Sequence, residues 1–181
     1  MKRNTVGYTE SPDFRCLEDL DLLQGIGSMN PLNLYYCGTE NCTPGWRFGP
    51  YVRDNYVIHA VISGRGTYRT AQGSYELSGG DMFIIYPGEE TVYEADMDEP
   101  WSYAWIGFNG RESENVVRDI GFLRENPVVS AIYTKPIKDA IERIMDARQL
   151  THAAMLRRRA AFYDALALMM EQSSYVNKGI N

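Results

Sequence analysis

Apolar residues come in short runs through the middle of the chain and at helical spacing towards its end. Tyr56-Val57-Ile58-His59-Ala60-Val61-Ile62 is apolar at nearly every position and stops at Ser63-Gly64-Arg65-Gly66. Met82-Phe83-Ile84-Ile85-Tyr86 lies between Gly79-Gly80-Asp81 and Pro87-Gly88. Runs this short, with no polar alternate position, read as strands covered on both faces. Residues 101–108 alternate instead, with Trp101, Tyr103 and Trp105 on one face and Ser102, Ala104, Ile106 and Phe108 on the other. Residues 67–70 and 74–77 flank Ala71-Gln72-Gly73, a short hairpin turn, and residues 91–95 alternate weakly. Upstream, residues 32–39 read as a strand, 40–45 as a loop, and Trp46-Arg47-Phe48 as a short extended piece before a turn at Gly49-Pro50. Such runs, punctuated by Gly, Pro and Asp, are the pattern of an all-β sandwich or barrel.

At Asn109 the period changes. Asn109-Gly110-Arg111-Glu112 predicts a capping-box-like helix start, with Val116, Val117 and Ile120 as its apolar stripe and Gly121 as its stop. Thr134-Lys135-Pro136 opens a second helix, with Ile137, Ile141, Ile144 and Met145 along one face. A third helix is predicted over 151–172 with two stripes: Met155, Phe162, Leu166 and Met169, and Ala154, Ala161, Ala165 and Leu168. Two stripes imply two partners, and the repeat of seven through Ala154, Ala161 and Leu168 predicts a homodimer seam there. Residues 173–181 are polar and are expected to form no element. Near the N-terminus, residues 16–23 suggest one or two helical turns, halted by Gly25, Gly27 and Pro31. The expected organisation is an arm over 1–30, a barrel over 31–109, a helical dimerisation segment over 110–172, and the start of a linker over 173–181.

Composition narrows the class. The chain has 181 residues, 44% hydrophobic and 23% charged, enough for one globular core without disulfides or metals. Three cysteines, Cys16, Cys37 and Cys42, are odd in number and lack metal spacing, which points to reduced thiols in the cytoplasm. No apolar run is long enough to span a membrane, and the first residues lack the apolar segment of a secretory signal. A net charge of −6, without a basic patch, argues against direct nucleic-acid binding by these residues.

Candidate chemistry is sparse. The only histidines are His59 and His152, and the second lies on the third helix, so the barrel owns one imidazole. That is too few for a stable transition-metal site, and His59 reads as a packed or hydrogen-bonded core residue. No Gly-x-Ser-x-Gly elbow is present, and Gly64-Arg65-Gly66 lacks the third glycine of a dinucleotide fingerprint. Glu89 and Glu90 read as a solvated turn rather than an acid–base pair. The aromatic face Trp101, Tyr103, Trp105, with Tyr93 on the neighbouring strand, leaves two readings open: plain core packing, or a pocket whose rings and polar tips hold a small polar ligand.

Three blocks, Tyr56 to Gly66, Gly80 to Glu89, and Asp98 to Phe108 with its Trp-x-Tyr-x-Trp core, resemble in order and spacing the N-terminal effector-binding and dimerisation domain of AraC-family transcription regulators. With the helical tail, the resemblance spans residues 30–172 and is to the sugar-responsive members. It implies a mainly β, cupin-type jelly-roll (double-stranded β-helix) barrel followed by about three helices. It also implies an effector, a carbohydrate, bound inside the barrel; an arm that closes over it; a homodimer; no cofactor; no catalysis; and DNA contact only through a C-terminal helix-turn-helix domain absent from this chain. By position, the stacking tryptophan of the arabinose-responsive relative matches Trp105, and Tyr103 stands where that relative has histidine. Tyr93, Arg47 and Thr39 match further ligand contacts. The rival readings are a small metal-independent cupin enzyme of isomerase or epimerase type, using Tyr103, Glu90 or His59 as acid and base, and a dimerisation module with a filled barrel.

Overall fold

Why the central runs lack polar alternates is settled by what lies on either side of them. In the computed structural model, which describes residues 6–18 and 30–178, strands β5 (Tyr56–Ser63), β8 (Met82–Ile85) and β10 (Ser102–Asn109) form the middle of one large sheet. With β1 (Gly7–Ser11), β2 (Phe14–Glu18), β3 (Asn33–Asn41) and β11 (Val128–Val129) it has the order β1-β2-β3-β10-β5-β8-β11. A second sheet of β4 (Arg47–Val52), β9 (Glu90–Ala95), β6 (Arg65–Thr70) and β7 (Gly73–Ser78), in the order β4-β9-β6-β7, covers one face of the first. Helices α1 (Ser113–Ile120), α2 (Lys135–Asp146) and α3 (His152–Lys178) cover the other. The strand pairs are antiparallel, as the expected jelly-roll requires.

Period-2 alternation then sorts each central strand between two cores. Val57, His59, Val61, Phe83, Ile85, Tyr103 and Trp105 point between the sheets, while Ile58, Ala60, Met82, Ile84, Ala104, Ile106 and Phe108 point at the helices. The helical side adds Val117, Ile120, Ile137, Ile141, Ile144 and Met145, the stripes read from the sequence. Gly121 ends α1 in the left-handed region at φ 106°, where a side chain is strained.

Several expectations change. Residues 16–18 are not helical: they end β2, which pairs with β3 and places the β1–β2 hairpin on the sheet edge. Open backbone donors on β3 favour a strand there over isolated helical turns, and the rest of that stretch, to Leu23, lies outside the described residues. The turn at Gly49-Pro50 is a register shift within β4, between Phe48 and Tyr51. Asn109 does not cap α1; it remains in β10, its side chain accepts from the amide of Gly110, and the helix starts at Ser113. α3 continues to Lys178, so most of the stretch expected to be structureless is helix, and residues 179–181 lie outside the described residues.

The line Ala154, Ala161 and Leu168, expected to face a second copy, is turned inward on α3. Ala154 and Ala161 are buried within the chain, and Leu168 packs half-buried against the same core. With Phe162, Ala165, Leu166 and Met169 they form a single inward face, so what reads in the sequence as two stripes is one broad one. Arg158 on that face is buried, and its Nη1 donates to the carbonyls of Ala147 (2.6 Å) and Gln149 (2.9 Å), just past the end of α2. Among the described side chains of α3, the apolar ones left in solvent are Ala153, Leu156, Ala160, Tyr163 and Ala167, of which Ala153, Ala160 and Ala167 each precede a residue of the expected seam.

Candidate functional site

Between the sheets the inner core does not close. A cavity of about 280 Å³ opens there, lined by Phe14, Cys16, Glu18, Tyr36, Glu40, Trp46, Phe48, Arg53, Val57, His59, Tyr93, Tyr103 and Trp105. Its base is a lattice of rings. His59 stacks on Phe83 at 4.5 Å and 1°, meets Tyr103 edge-on at 5.2 Å, and lies 5.0 Å from Tyr93. Tyr103 and Trp105 are perpendicular neighbours at 5.8 Å, and Phe48 stacks on Tyr93 at 5.4 Å. Edge-to-face and offset contacts of this kind are the arrangements aromatic rings prefer.

Glycine makes room for these rings. A Cβ on Gly38, which faces Trp105 across the β3–β10 pair, would strike both the indole and the carbonyl of Arg15. A Cβ on Gly107 would strike the ring of Tyr36. The platform of Trp105 therefore depends on a residue without a side chain on the neighbouring strand.

Polar atoms are few and placed at the walls. Tyr103 Oη donates to Glu40 Oε2 at 2.8 Å. Burial pushes the Glu40 carboxyl above its ordinary range, and the tyrosine hydrogen bond offsets part of that rise. Arg53 Nη1 donates to Tyr36 Oη at 3.2 Å, and its guanidinium lies over the rings of Phe48 (4.8 Å), Tyr51 (5.4 Å) and Tyr36 (5.8 Å). Asn55 holds Tyr36 from the other side through Nδ2 at 3.1 Å. His59 is held neutral: burial first, then the charge of Arg53, keeps its pKa well below 6.5. Its Nδ1 is buried and has no hydrogen-bond partner. The phenols of Tyr93 and Tyr103 are raised chiefly by burial, and the thiol of Cys16 is pushed up to about 12 for the same reason. Burial thus disfavours the charged form of each of these groups.

Of the five ligand contacts expected from the sequence, Trp105, Tyr103 and Tyr93 meet in this cavity. Arg47 does not. It sits opposite Glu94 in the β4–β9 pair, points away from the inner core, and forms an ion pair with Glu94 at 3.9 Å. Its neighbours Trp46 and Phe48 take the inner side, as alternation along β4 dictates, and Arg53 from the loop after β4 supplies the guanidinium. Thr39 is also displaced: it pairs with Ala104, whose side chain faces the helices, so the cavity receives Glu40 instead. Trp101 is on the expected face but is fully buried core, stacked on Phe83 at 5.9 Å, and does not line the cavity. The phase of β3 and β4 was the available signal for Glu40, Trp46 and Phe48. Arg53, Phe14 and Cys16 had none, because loop and hairpin placement bring them in. Among the described residues, no group of three or more His, Cys, Asp and Glu side chains is arranged to hold a metal. No described helix is long and apolar enough to cross a membrane, which says nothing of strands.

Residues 33–169 match the family model described as the AraC-like ligand binding domain. The chain is 33% identical over 158 residues to the Msm operon regulatory protein of Streptococcus mutans, a match covering 80% of this chain and 57% of that protein. It is 43% identical over 79 residues to the raffinose operon transcriptional regulatory protein RafR of Pediococcus pentosaceus, covering 42% and 28%. To the lactose operon transcription activator of Staphylococcus xylosus it is 32% identical over 117 residues, covering 65% and 42%. The chain thus spans little more than half the length of these curated relatives, or less. Among solved structures, YhaK from Escherichia coli is similar at a TM-score of 0.43 and 16% identity, covering 70% of this chain and 48% of that one. A Cupin 2 conserved barrel domain protein from Salinispora arenicola is similar at 0.41 and 14%, covering 64% and 94%.

Proposed function

The chain belongs to the AraC-like ligand-binding domain family, and from that premise we propose that it is the sensing part of a cytoplasmic sugar-operon regulator whose effector is a small carbohydrate bound in the barrel. The observation that carries this reading is the cavity. Trp105 offers a flat face to the apolar face of a pyranose, and Glu40, Tyr103, Arg53 and His59 offer acceptors and donors to its hydroxyls. The names of the three relatives, regulators of Msm, raffinose and lactose operons, support a sugar over other small polar molecules. Binding is the whole task of the barrel, without covalent chemistry or a cofactor. The enzyme reading needs an acid and a base. Glu90 is exposed at the start of β9 and does not line the cavity; the Tyr103 hydroxyl is engaged by Glu40, and His59 stays neutral.

The domain works as a homodimer. Ala153, Leu156, Ala160, Tyr163 and Ala167 lie at alternating spacings of three and four on the solvent face of α3, a heptad seam, with Leu156 and Tyr163 53% and 43% exposed. A second copy of the same helix matches that small-and-large alternation. Operator contact is the task of a domain that residues 1–181 do not contain, as the net charge of −6 and the greater length of the relatives support. The test is a thermal-shift screen against mono-, di- and trisaccharides. A sugar at 100 times its dissociation constant should add about 2.7 kcal/mol of stability, and the same sugar should fail to protect Trp105→Ala. A screen in which no sugar shifts the melting temperature sinks the carbohydrate reading.

A further inference from the structure

The lining of the cavity holds more acid than base. Glu40 and Glu18 bring two carboxylates, Arg53 brings one guanidinium, and His59 carries no charge. The guanidinium is already engaged, donating to Tyr36 and lying over three rings. The Glu40 carboxylate accepts one hydrogen bond, from Tyr103, and an ionised carboxylate has room for several. His59, 2% exposed, adds a buried nitrogen with no partner in the wall of the same cavity.

We propose that the cavity selects its sugar by charge, taking an uncharged sugar unit through hydroxyls donated to Glu40 and rejecting the phosphorylated form of the same sugar. This rests on the reading of the barrel as a carbohydrate site. Two opposite costs decide it. A hydroxyl donated to a carboxylate is a charge-assisted bond, among the stronger ones available to a neutral ligand. A phosphate brought beside the part-buried Glu40 carboxylate, with the Glu18 carboxylate at the rim, meets repulsion that one partly engaged guanidinium does not cancel. The domain therefore reports a sugar before phosphorylation, and a sugar kinase acting on the effector removes the signal.

The experiment is calorimetric titration of residues 1–181 with matched pairs: galactose and galactose 6-phosphate, glucose and glucose 6-phosphate, lactose and its 6-phosphate. The expected result is that a parent sugar binds and its phosphate binds at least tenfold more weakly. Glu40→Gln keeps the shape and the hydrogen bond to Tyr103, and should both weaken the parent sugar and narrow the gap. Glu18→Gln changes an exposed rim residue, leaves folding intact, and should narrow the gap in the same direction. A phosphate that binds as tightly as its parent overturns the inference, as does a gap that neither variant changes, because steric exclusion then explains it. If no member of any pair binds and no sugar of the thermal-shift screen protects, the carbohydrate reading falls and takes this inference with it.

Discussion

His59 and Glu40 face the same cavity and respond to pH in opposite directions. Burial holds the imidazole of His59 well below its ordinary pKa of 6.5, so the unfolded chain takes up a proton that the folded chain refuses. Its contribution to stability is complete above pH 6.5 and is lost as pH falls below it, by at most about 1.4 kcal/mol per pH unit. His59→Phe keeps the stack on Phe83 and should flatten the fall of melting temperature on that acid side. Glu40 is raised, so the folded chain keeps a proton that the unfolded chain has released. Its contribution is present below the ordinary carboxyl pKa and is lost as pH rises through the raised value. Glu40→Gln should therefore be more stable than the parent at neutral pH and equal to it near the ordinary carboxyl range, read by thermal melts across pH. Gly38 is the third informative residue. Gly38→Ala drives a methyl into the Trp105 indole and the Arg15 carbonyl, and should cost about 2 kcal/mol of stability along with effector affinity.

At the scale of elements, α3 carries the sharpest expectation. Its inner face is occupied by the domain itself, so Ala161→Glu should destabilise the monomer by burying a charge, whatever the state of assembly. Ala160→Glu places the same charge one residue along, on the exposed line, and should leave the monomer's melting intact while light scattering shows the dimer dissociating. A dimer that survives Ala160→Glu moves the interface off α3. Arg158 ties α3 to the end of α2 through two charge-assisted hydrogen bonds, and Arg158→Met should cost about 3 kcal/mol in chemical denaturation, because two carbonyls lose their donor.

For the whole molecule, β2 is the element that touches both the cavity and the helical layer. Its alternate residues Phe14, Cys16 and Glu18 line the cavity, while Arg15 between them donates to Tyr8 Oη and to Asp146 Oδ1 at the end of α2. The hairpin is pinned again where the Val6 amide donates to the Arg148 carbonyl and the Arg148 guanidinium sits over Tyr8, four residues before α3 begins. A ligand that orders β2 therefore acts on the segment that positions α3. Hydrogen exchange with a saturating sugar should slow in residues 14–18 and in residues 146–150 together, and protection confined to the cavity strands would separate the two. The ion pairs along this route are solvent-exposed and individually weak, so the coupling depends on the hairpin moving as a unit.

Alternation and period settle much of this protein in advance. The apolar runs of β5 and β8 declare two covered faces, the phase of residues 101–108 sends Tyr103 and Trp105 inward, and the stripes of α1 and α2 name the residues that meet the sheet. These are local properties, decided by which way consecutive side chains point. Tertiary structure alone decides what closes the cavity and what covers α3. Arg53 arrives from a loop, and Phe14 and Cys16 from a hairpin whose edge pairing with β3 no periodicity announces. Arg47 and Thr39 sit one residue from positions that do face the cavity, and in a strand one residue is the whole difference between inside and outside. On α3 the sequence shows apolar residues on both sides of the helix. Which side the chain keeps for itself depends on where α2 and the sheet lie, and a single helix carries no record of that.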